Sequence, residues 1–220
     1  MLNSAYQSAA DEYYNRPRPS IVSQVPDGPN VVLDIGCGAG GVGRSLIANG
    51  KAGRVVGVEL FAPAARAASE FYANVHTGDI ESMELPYEGV FDYIICGDIL
   101  EHLKEPAIVV AKVHRWLKDD GVFICSVPNI RHWQVLYKLA FRGAWDYVDA
   151  GILDKTHLRF FTRRSFNRML VEGDFAITAS QMLIYSRRYQ IINRITLRIF
   201  EDLLGSQLVV RARKVASRLK

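Results

Sequence analysis
The chain has 220 residues, 49% of them apolar and 23% charged, with a formal net charge of +4. That is enough for one well-buried domain and too little for two, so residues 1–220 are read as a single domain. Its longest apolar runs are too short to span a bilayer, and its start, Met1-Leu2-Asn3-Ser4-Ala5-Tyr6, lacks the basic and apolar regions of a signal peptide, which predicts a cytoplasmic protein without a transmembrane segment.

Residues 1–25 precede the first convincing strand and carry Tyr6, Tyr13 and Tyr14. After the breaker Pro26-Asp27-Gly28-Pro29, the run Asn30 to Ile35 is apolar throughout, as a parallel strand covered on both faces should be. A glycine-rich turn follows, then a helix from Val42 to Asn49 stopped by Gly50. Arg54 to Leu60 reads as a strand, Pro63 to Ala73 as a helix with proline in its first turn, and Asn74 to Thr77 as a weak strand. Next come a strand, Phe91 to Cys96, and a helix, Pro106 to Leu117. The turn Lys118-Asp119-Asp120-Gly121 then leads into a strand, Val122 to Val127. Residues 128–162 break the rhythm as a long excursion rich in Trp, His, Arg, Tyr and Asp, the kind of loop that carries function. A helix from Arg163 to Glu172, a strand from Phe175 to Ile184, a short helix near Asn193 to Leu204 and a strand from Gln207 to Arg213 complete the chain. Strands alternating with helices predict an α/β doubly wound sheet with its ligand crevice at the strand carboxyl ends.

Two compositional features remain. Cys37, Cys96 and Cys125 sit in or beside apolar runs without metal-ligand spacing, so they read as buried hydrophobes in a reducing compartment, with neither disulfide nor metal expected. Arg187 to Lys220 holds nine Lys/Arg against Glu201 and Asp202. Such an end can touch nucleic acid, a membrane or an acidic partner, but no aromatic-interleaved basic stripe accompanies it, and a solvated face is the simpler reading.

The glycine turn admits two fingerprints. Gly36, Gly38 and Gly41 satisfy the dinucleotide pattern G-x-G-x-x-G, and Gly36, Gly38 and Gly40 satisfy G-x-G-x-G. Asp34, two residues before the first glycine, decides between their ligands. A carboxylate there would repel the pyrophosphate of a dinucleotide and attract the ammonium and sulfonium of S-adenosylmethionine. Its structural alternative is an Asp that caps the turn's own amides. Glu59 ends a strand and offers two oxygens to a ribose, a place where nicotinamide enzymes also use an acid. Asp79 could accept from an adenine amino group while Ile80 packs on the ring.

These residues resemble the class I S-adenosylmethionine-dependent methyltransferases. The resemblance rests on Val31-Val32-Leu33-Asp34-Ile35-Gly36-Cys37-Gly38-Ala39-Gly40, on Glu59, on Gly78-Asp79-Ile80, on Phe91 to Leu103 and on the turn before the fifth strand, and so covers roughly residues 28–128, the cofactor core. It implies a Rossmann-like sheet of seven strands with the last antiparallel and helices on both faces. It also implies that Gly36 and Gly38 face the methionine moiety, Glu59 the ribose, Asp79 and Ile80 the adenine, and Gly97 the sulfonium. Cys37 and Leu60 flank these contacts, and S-adenosylhomocysteine would be the product. A looser match, through Ser126 to Trp133 and Asp149 to Thr162, resembles a bacterial subgroup acting on small molecules of glycan or secondary-metabolite pathways. It is compatible with a homodimer.

Methyl transfer needs positioning and exclusion of water, and a base where the acceptor is a hydroxyl or a protonated nitrogen. His102 is the leading candidate because it follows the fourth strand on the crevice side; His132 and His157 in the excursion come next, each with a structural hydrogen bond as its alternative. Asn129, Trp133, Tyr137, Trp145 and Arg159 are expected to wall the acceptor, against an excursion core as the plainer explanation. Residues 1–25 are expected to close as a lid, with Tyr14 toward the cofactor and Tyr13 toward the acceptor. Residues 163–220 form the C-terminal helix and strand hairpin. Three rival functions stay open: an rRNA or tRNA methyltransferase, a nicotinamide oxidoreductase and a non-catalytic S-adenosylmethionine-binding protein. Cys96-Gly97-Asp98-Ile99 lacks the Asn/Asp-Pro-Pro-aromatic loop of enzymes that methylate exocyclic amines on bases, which counts against nucleic acid.

Overall fold
A computed structural model describes residues 17–216 of the chain. Of the lid expected over residues 1–25, residues 1–16, with Tyr13 and Tyr14, lie outside the described residues, whereas Ile21, Val22 and Val25 are buried in the core and make that part a fixed piece of the body. Within them the strands are β1 (Val31–Ile35), β2 (Arg54–Glu59), β3 (Asn74–Thr77), β4 (Phe91–Gly97), β5 (Leu117–Pro128), β6 (Phe175–Leu183) and β7 (Gln207–Lys214). They form one seven-stranded sheet in the order β3-β2-β1-β4-β5-β7-β6. The first five run parallel, while β7 lies between β5 and β6 and is antiparallel to both, as expected. The chain leaves β1 toward β2 on one side, while β4 pairs with β1 on the other, so the connections diverge there and open a crevice beyond Ile35 and Gly97.

Alternation along the strands builds two cores. In β1, Leu33 and Ile35 pack with Val56, Ile94, Trp116 and Phe123 on one face. Val32 packs with Ile21, Leu46, Val55 and Ile124 on the other. The covering helices are α1 (Pro19–Val22), α2 (Gly41–Ala48), α3 (Ala62–Ala68), α4 (Pro106–Trp116), α5 (Trp133–Arg142), α6 (Arg163–Glu172), α7 (Arg187–Ile195) and α8 (Glu201–Leu204). Local chemistry starts several of them. Proline occupies the first turn of α1, α3 and α4, where its missing N–H costs nothing. Thr162 and Ser165 form a reciprocal capping box at the start of α6. Among the described residues no helix is long and apolar enough to cross a membrane.

Three expectations need correction. The stretch Lys118 to Gly121 is part of β5; left-handed Asp120 (φ 62°) bulges it, and the register jumps from Phe91 opposite Leu117 to Tyr93 opposite Val122. The helix expected near Asn193 to Leu204 begins earlier and is cut in two. Leu197 (φ 49°) and Arg198 (φ 65°) take left-handed backbone between α7 and α8, a break that no glycine or proline announces. The excursion, expected as loop, also contains a regular helix, α5, which buries only Val135.

Candidate functional site
The glycine turn is tied down by the residues around it. Gly36 (φ 71°), Gly38 (φ 55°) and Gly40 (φ 87°) hold left-handed backbone, and a Cβ on Gly36 would stand 2.0 Å from Ile99 Cδ1. Glu59, at the end of β2, accepts from the Gly38 amide through one carboxylate oxygen (2.8 Å) and from the Phe61 amide through the other (2.9 Å). Its remaining lone pairs are the ones left for a ligand hydroxyl.

Asp34 is buried at the end of β1, and its carboxylate accepts from the Tyr72 hydroxyl at 2.6 Å. That hydroxyl in turn accepts from the Gly43 amide (2.9 Å), so one tyrosine links β1 to the first turn of α2. Burial pushes the Asp34 carboxyl up to about 6; the Tyr72 hydrogen bond and Arg18 oppose the rise, and Glu59 adds to it. Tyr72 was not singled out by its sequence context. The signal for it is indirect: a Cβ on Gly43 or Gly57 would meet the Tyr72 ring at 2.4 or 2.9 Å, so both glycines make room for it.

A cavity of about 780 Å³ opens beyond the carboxyl ends of β1, β2 and β4. All nine described residues expected to touch the cofactor line it: Asp34, Gly36, Cys37, Gly38, Glu59, Leu60, Asp79, Ile80 and Gly97. Arg18 and Asp98 line it too, and sequence reasoning had given neither a role. Asp98 holds a left-handed backbone (φ 56°) and pairs with Arg18. It also accepts from Ser126 (2.7 Å) and Gln207 (2.6 Å), joining four elements. Burial would raise its pKa, but the Arg18 guanidinium and these hydrogen bonds outweigh that and hold it below the ordinary carboxylate value.

The far end of the cavity is built by the Leu100–His102 turn after β4 and by the excursion. Leu158 and Arg159 both donate their amides to the Glu101 carbonyl (2.8 and 2.9 Å). This clip brings Asp154, Thr156 and Leu158 to the cavity wall, opposite His102. His102 Nδ1 meets the Thr156 carbonyl at 3.2 Å and its hydroxyl at 3.1 Å. His157 lies directly behind, its ring 4.8 Å from that of His102 and its Nδ1 3.0 Å from the Ile152 carbonyl. Burial and the neighbouring His157 lower the His102 pKa. Both Glu101 carboxylate oxygens are buried without a hydrogen-bond partner among the described residues. Burial, with the charge of Asp98, pushes that carboxyl well above its ordinary value.

The structure does not bring the rest of the expected acceptor wall here. His132, Trp133 and Tyr137 line a second cavity of about 800 Å³ between α5 and the segment entering α7. There Trp133 meets Tyr189 edge-on at 6.1 Å. Asn129 is fully engaged in holding the chain together: its amide donates to the Asp202 and Gly205 carbonyls, and its oxygen accepts from the Arg131 amide. Arg159 turns outward to the Lys104 carbonyl and Glu105. Trp145 packs edge-on against Phe160 at 5.3 Å. The excursion therefore divides: residues 149–158 reach the first cavity, and α5 does not.

Residues 6–180 match the family described as Methyltransferase domain. The chain is similar to a ubiquinone biosynthesis O-methyltransferase of Psychrobacter cryohalolentis, 30% identical over 156 residues, covering 66% of this chain and 58% of that protein. It is also similar to a malonyl-[acyl-carrier protein] O-methyltransferase of Halalkalibacterium halodurans, 31% identical over 107 residues, or 46% of this chain and 40% of that one. The chain thus spans less than two thirds of the length of either relative. Its fold is that of an S-adenosylmethionine-dependent methyltransferase from Mesorhizobium loti (TM-score 0.65, 20% identity, 89% of this chain and 96% of that one). The phosphoethanolamine N-methyltransferase 2 of Haemonchus contortus, solved with S-adenosyl-L-methionine, also shares it (TM-score 0.64, 17% identity, 94% of this chain and 56% of that one). With a family match over most of its length, and with the glycine turn, Asp34 and Glu59 gathered on one cavity, the chain belongs to the methyltransferase domain family.

Proposed function
We propose that this chain binds S-adenosylmethionine in the first cavity and transfers its methyl group to a hydroxyl oxygen of a small molecule. The observation that carries the reading is the convergence of two buried carboxylates, Asp34 and Glu59, on a turn whose amides and glycines leave room for an adenosine ligand. Asp34 favours a cationic ligand over a pyrophosphate. Glu59 serves the ribose, Asp79 and Ile80 the adenine, and Gly97 the sulfonium side. A Cβ on Gly97 would stand 3.0 Å from the ends of the Arg18 and Ile21 side chains, so a larger residue there would push on both. Relatives named as O-methyltransferases support an oxygen acceptor.

In the transfer the methyl carbon leaves sulfur as it bonds to oxygen, and sulfur keeps the electron pair of the broken bond. S-adenosylhomocysteine remains, and the hydroxyl proton must go elsewhere. His102, with Glu101 and His157 behind it, marks the part of the cavity wall where the hydroxyl loses that proton. The enzyme's further task is to align acceptor and methyl and keep water out. Calorimetry against S-adenosylmethionine and NAD, with release of S-adenosylhomocysteine over a panel of phenols and sugar hydroxyls, tests the reading. Binding of the first ligand alone and turnover of a hydroxyl acceptor are expected. Preference for NAD would overturn it.

A further inference from the structure
Among the described residues neither oxygen of the buried Glu101 carboxylate has a hydrogen-bond partner, although the residue is only 1% exposed. An orphan of this kind is destabilising unless something else meets it. What stands around it is a set of metal-ligating groups. One ligand atom each from Glu101, His102 and His157 lies within 4.8 Å of the others. The two imidazoles are also oriented. Each presents Nδ1 to a backbone carbonyl, His102 to Thr156 and His157 to Ile152. A ring that donates from Nδ1 keeps its lone pair on Nε2, which is how carbonyls behind a metal-bound histidine set its tautomer.

We propose that Glu101, His102 and His157 hold a divalent transition-metal cation at the acceptor end of the cavity. Two imidazoles and one carboxylate suit zinc, manganese, iron or cobalt, and three protein ligands leave positions open, as in catalytic rather than structural sites. Ligand bonds of about 2.1 Å would bring the three atoms roughly 3.4 Å apart, a contraction of up to about 1.4 Å from a present spacing of at most 4.8 Å. His102 borders the cavity, so an open position there faces the acceptor. On the methyl-transfer reading, which the cation's role in catalysis presupposes, an acceptor hydroxyl coordinates the cation, loses its proton to water at neutral pH and attacks as the alkoxide or phenolate. The spacing of cysteines and histidines along the chain did not predict this site, because the fold, through the clip on the Glu101 carbonyl, brings His157 to Glu101 from far along the sequence.

The test is a titration of tag-free protein with cobalt(II), read by visible absorption, alongside calorimetry with zinc(II) and with S-adenosylmethionine. One equivalent should bind with the strong bands of four- or five-coordinate cobalt. Glu101→Gln and His157→Ala should each weaken metal affinity at least tenfold. Both should keep the wild-type affinity for S-adenosylmethionine, which shows that they fold. Weak six-coordinate spectra in the wild type, or metal binding unchanged in both variants, would overturn the proposal. Cation binding without cofactor binding would leave the metal site standing and remove the methyltransferase reading; cofactor binding without cation binding would do the reverse.

Discussion

Asp34 faces opposing demands before and after a cation arrives. Burial favours its neutral form and pushes its pKa up to about 6 from an ordinary 3.8. The neutral form therefore stabilises the fold. That contribution is complete below about pH 4 and is lost as pH rises through 6, on the order of 3 kcal/mol in all. A sulfonium and an ammonium beside it favour the ionised form. Binding of S-adenosylmethionine should then release a proton at pH 5.5 and none at pH 7.5, with affinity rising up to about tenfold per unit below 6. Among the described residues Tyr72, Arg18, Glu59, Cys37 and Cys96 are the titratable groups coupled to it, and of these Arg18 is the cation. Calorimetry in buffers of different ionisation enthalpy reads the proton directly, and Asp34→Asn should abolish it. No release at pH 5.5 would show that the cation does not sit near this carboxylate. Gly36 offers a steric counterpart. With left-handed backbone and Ile99 2.0 Å from the place of a Cβ, Gly36→Ala should cost cofactor affinity at least tenfold. The double variant with Ile99→Ala should recover only part of it, since the backbone strain remains. Full recovery would mean that the clash with Ile99 alone matters.

At the level of elements, α6 gives a simple energetic test. Thr162 accepts from the Ser165 amide at 3.1 Å, and Ser165 answers with a hydrogen bond from the Thr162 amide at 3.0 Å. Thr162→Ala should lower stability by about 1 kcal/mol in denaturant unfolding without touching cofactor affinity, because α6 packs on β6, away from the cavity. An unchanged midpoint would show that the cap is dispensable. The elements that sequence anticipated best are those whose signals are local. Continuous apolar runs marked β1, β2, β4 and β5, and prolines or glycines marked helix ends. The cofactor half of the site was legible for the same reason: each of its residues lies at the end of a strand, and strand order alone brings Asp34, Glu59, Asp79 and Gly97 together. The other half was not. Tyr72 reaches Asp34 from beyond α3, Arg18 reaches Asp98 from before β1, and His157 reaches His102 across the excursion. Nothing in the spacing of such residues records a contact made by tertiary packing. The same limit explains Trp133 and Tyr137: their aromatic character was plain, but which cavity they would face depended on where α5 is placed.

Across the whole molecule, the basic end divides into parts with different duties. Arg198 pairs with buried Glu201, and Lys214 donates to the Leu117 carbonyl at 2.8 Å, so these charges hold the C-terminal segment to the body. α7 is different, since it buries no residue and leaves Ile195 75% exposed. Beyond it Ile199 is 77% exposed. Replacing Ile195 and Ile199 together by Asp should therefore shift the unfolding free energy by less than about 0.5 kcal/mol per site. A larger loss would reveal packing that this arrangement lacks. Uneven anchoring of this kind leaves the sheet and its cavity as the stable body, with α7 as an appendage.

The excursion is fastened to that body through the carbonyl of Glu101, which takes the amide protons of Leu158 and Arg159. A bond between main-chain groups does not depend on the side chains of the residues that donate it. Any residue but proline supplies the amide, so positions 158 and 159 can be exchanged while the loop keeps its course over the cavity. On the proposed function, acceptor preference and cofactor use are then inherited on separate terms. A lineage can try new side chains along the excursion while the carbonyl that anchors it, and the glycine turn it faces, stay as they are.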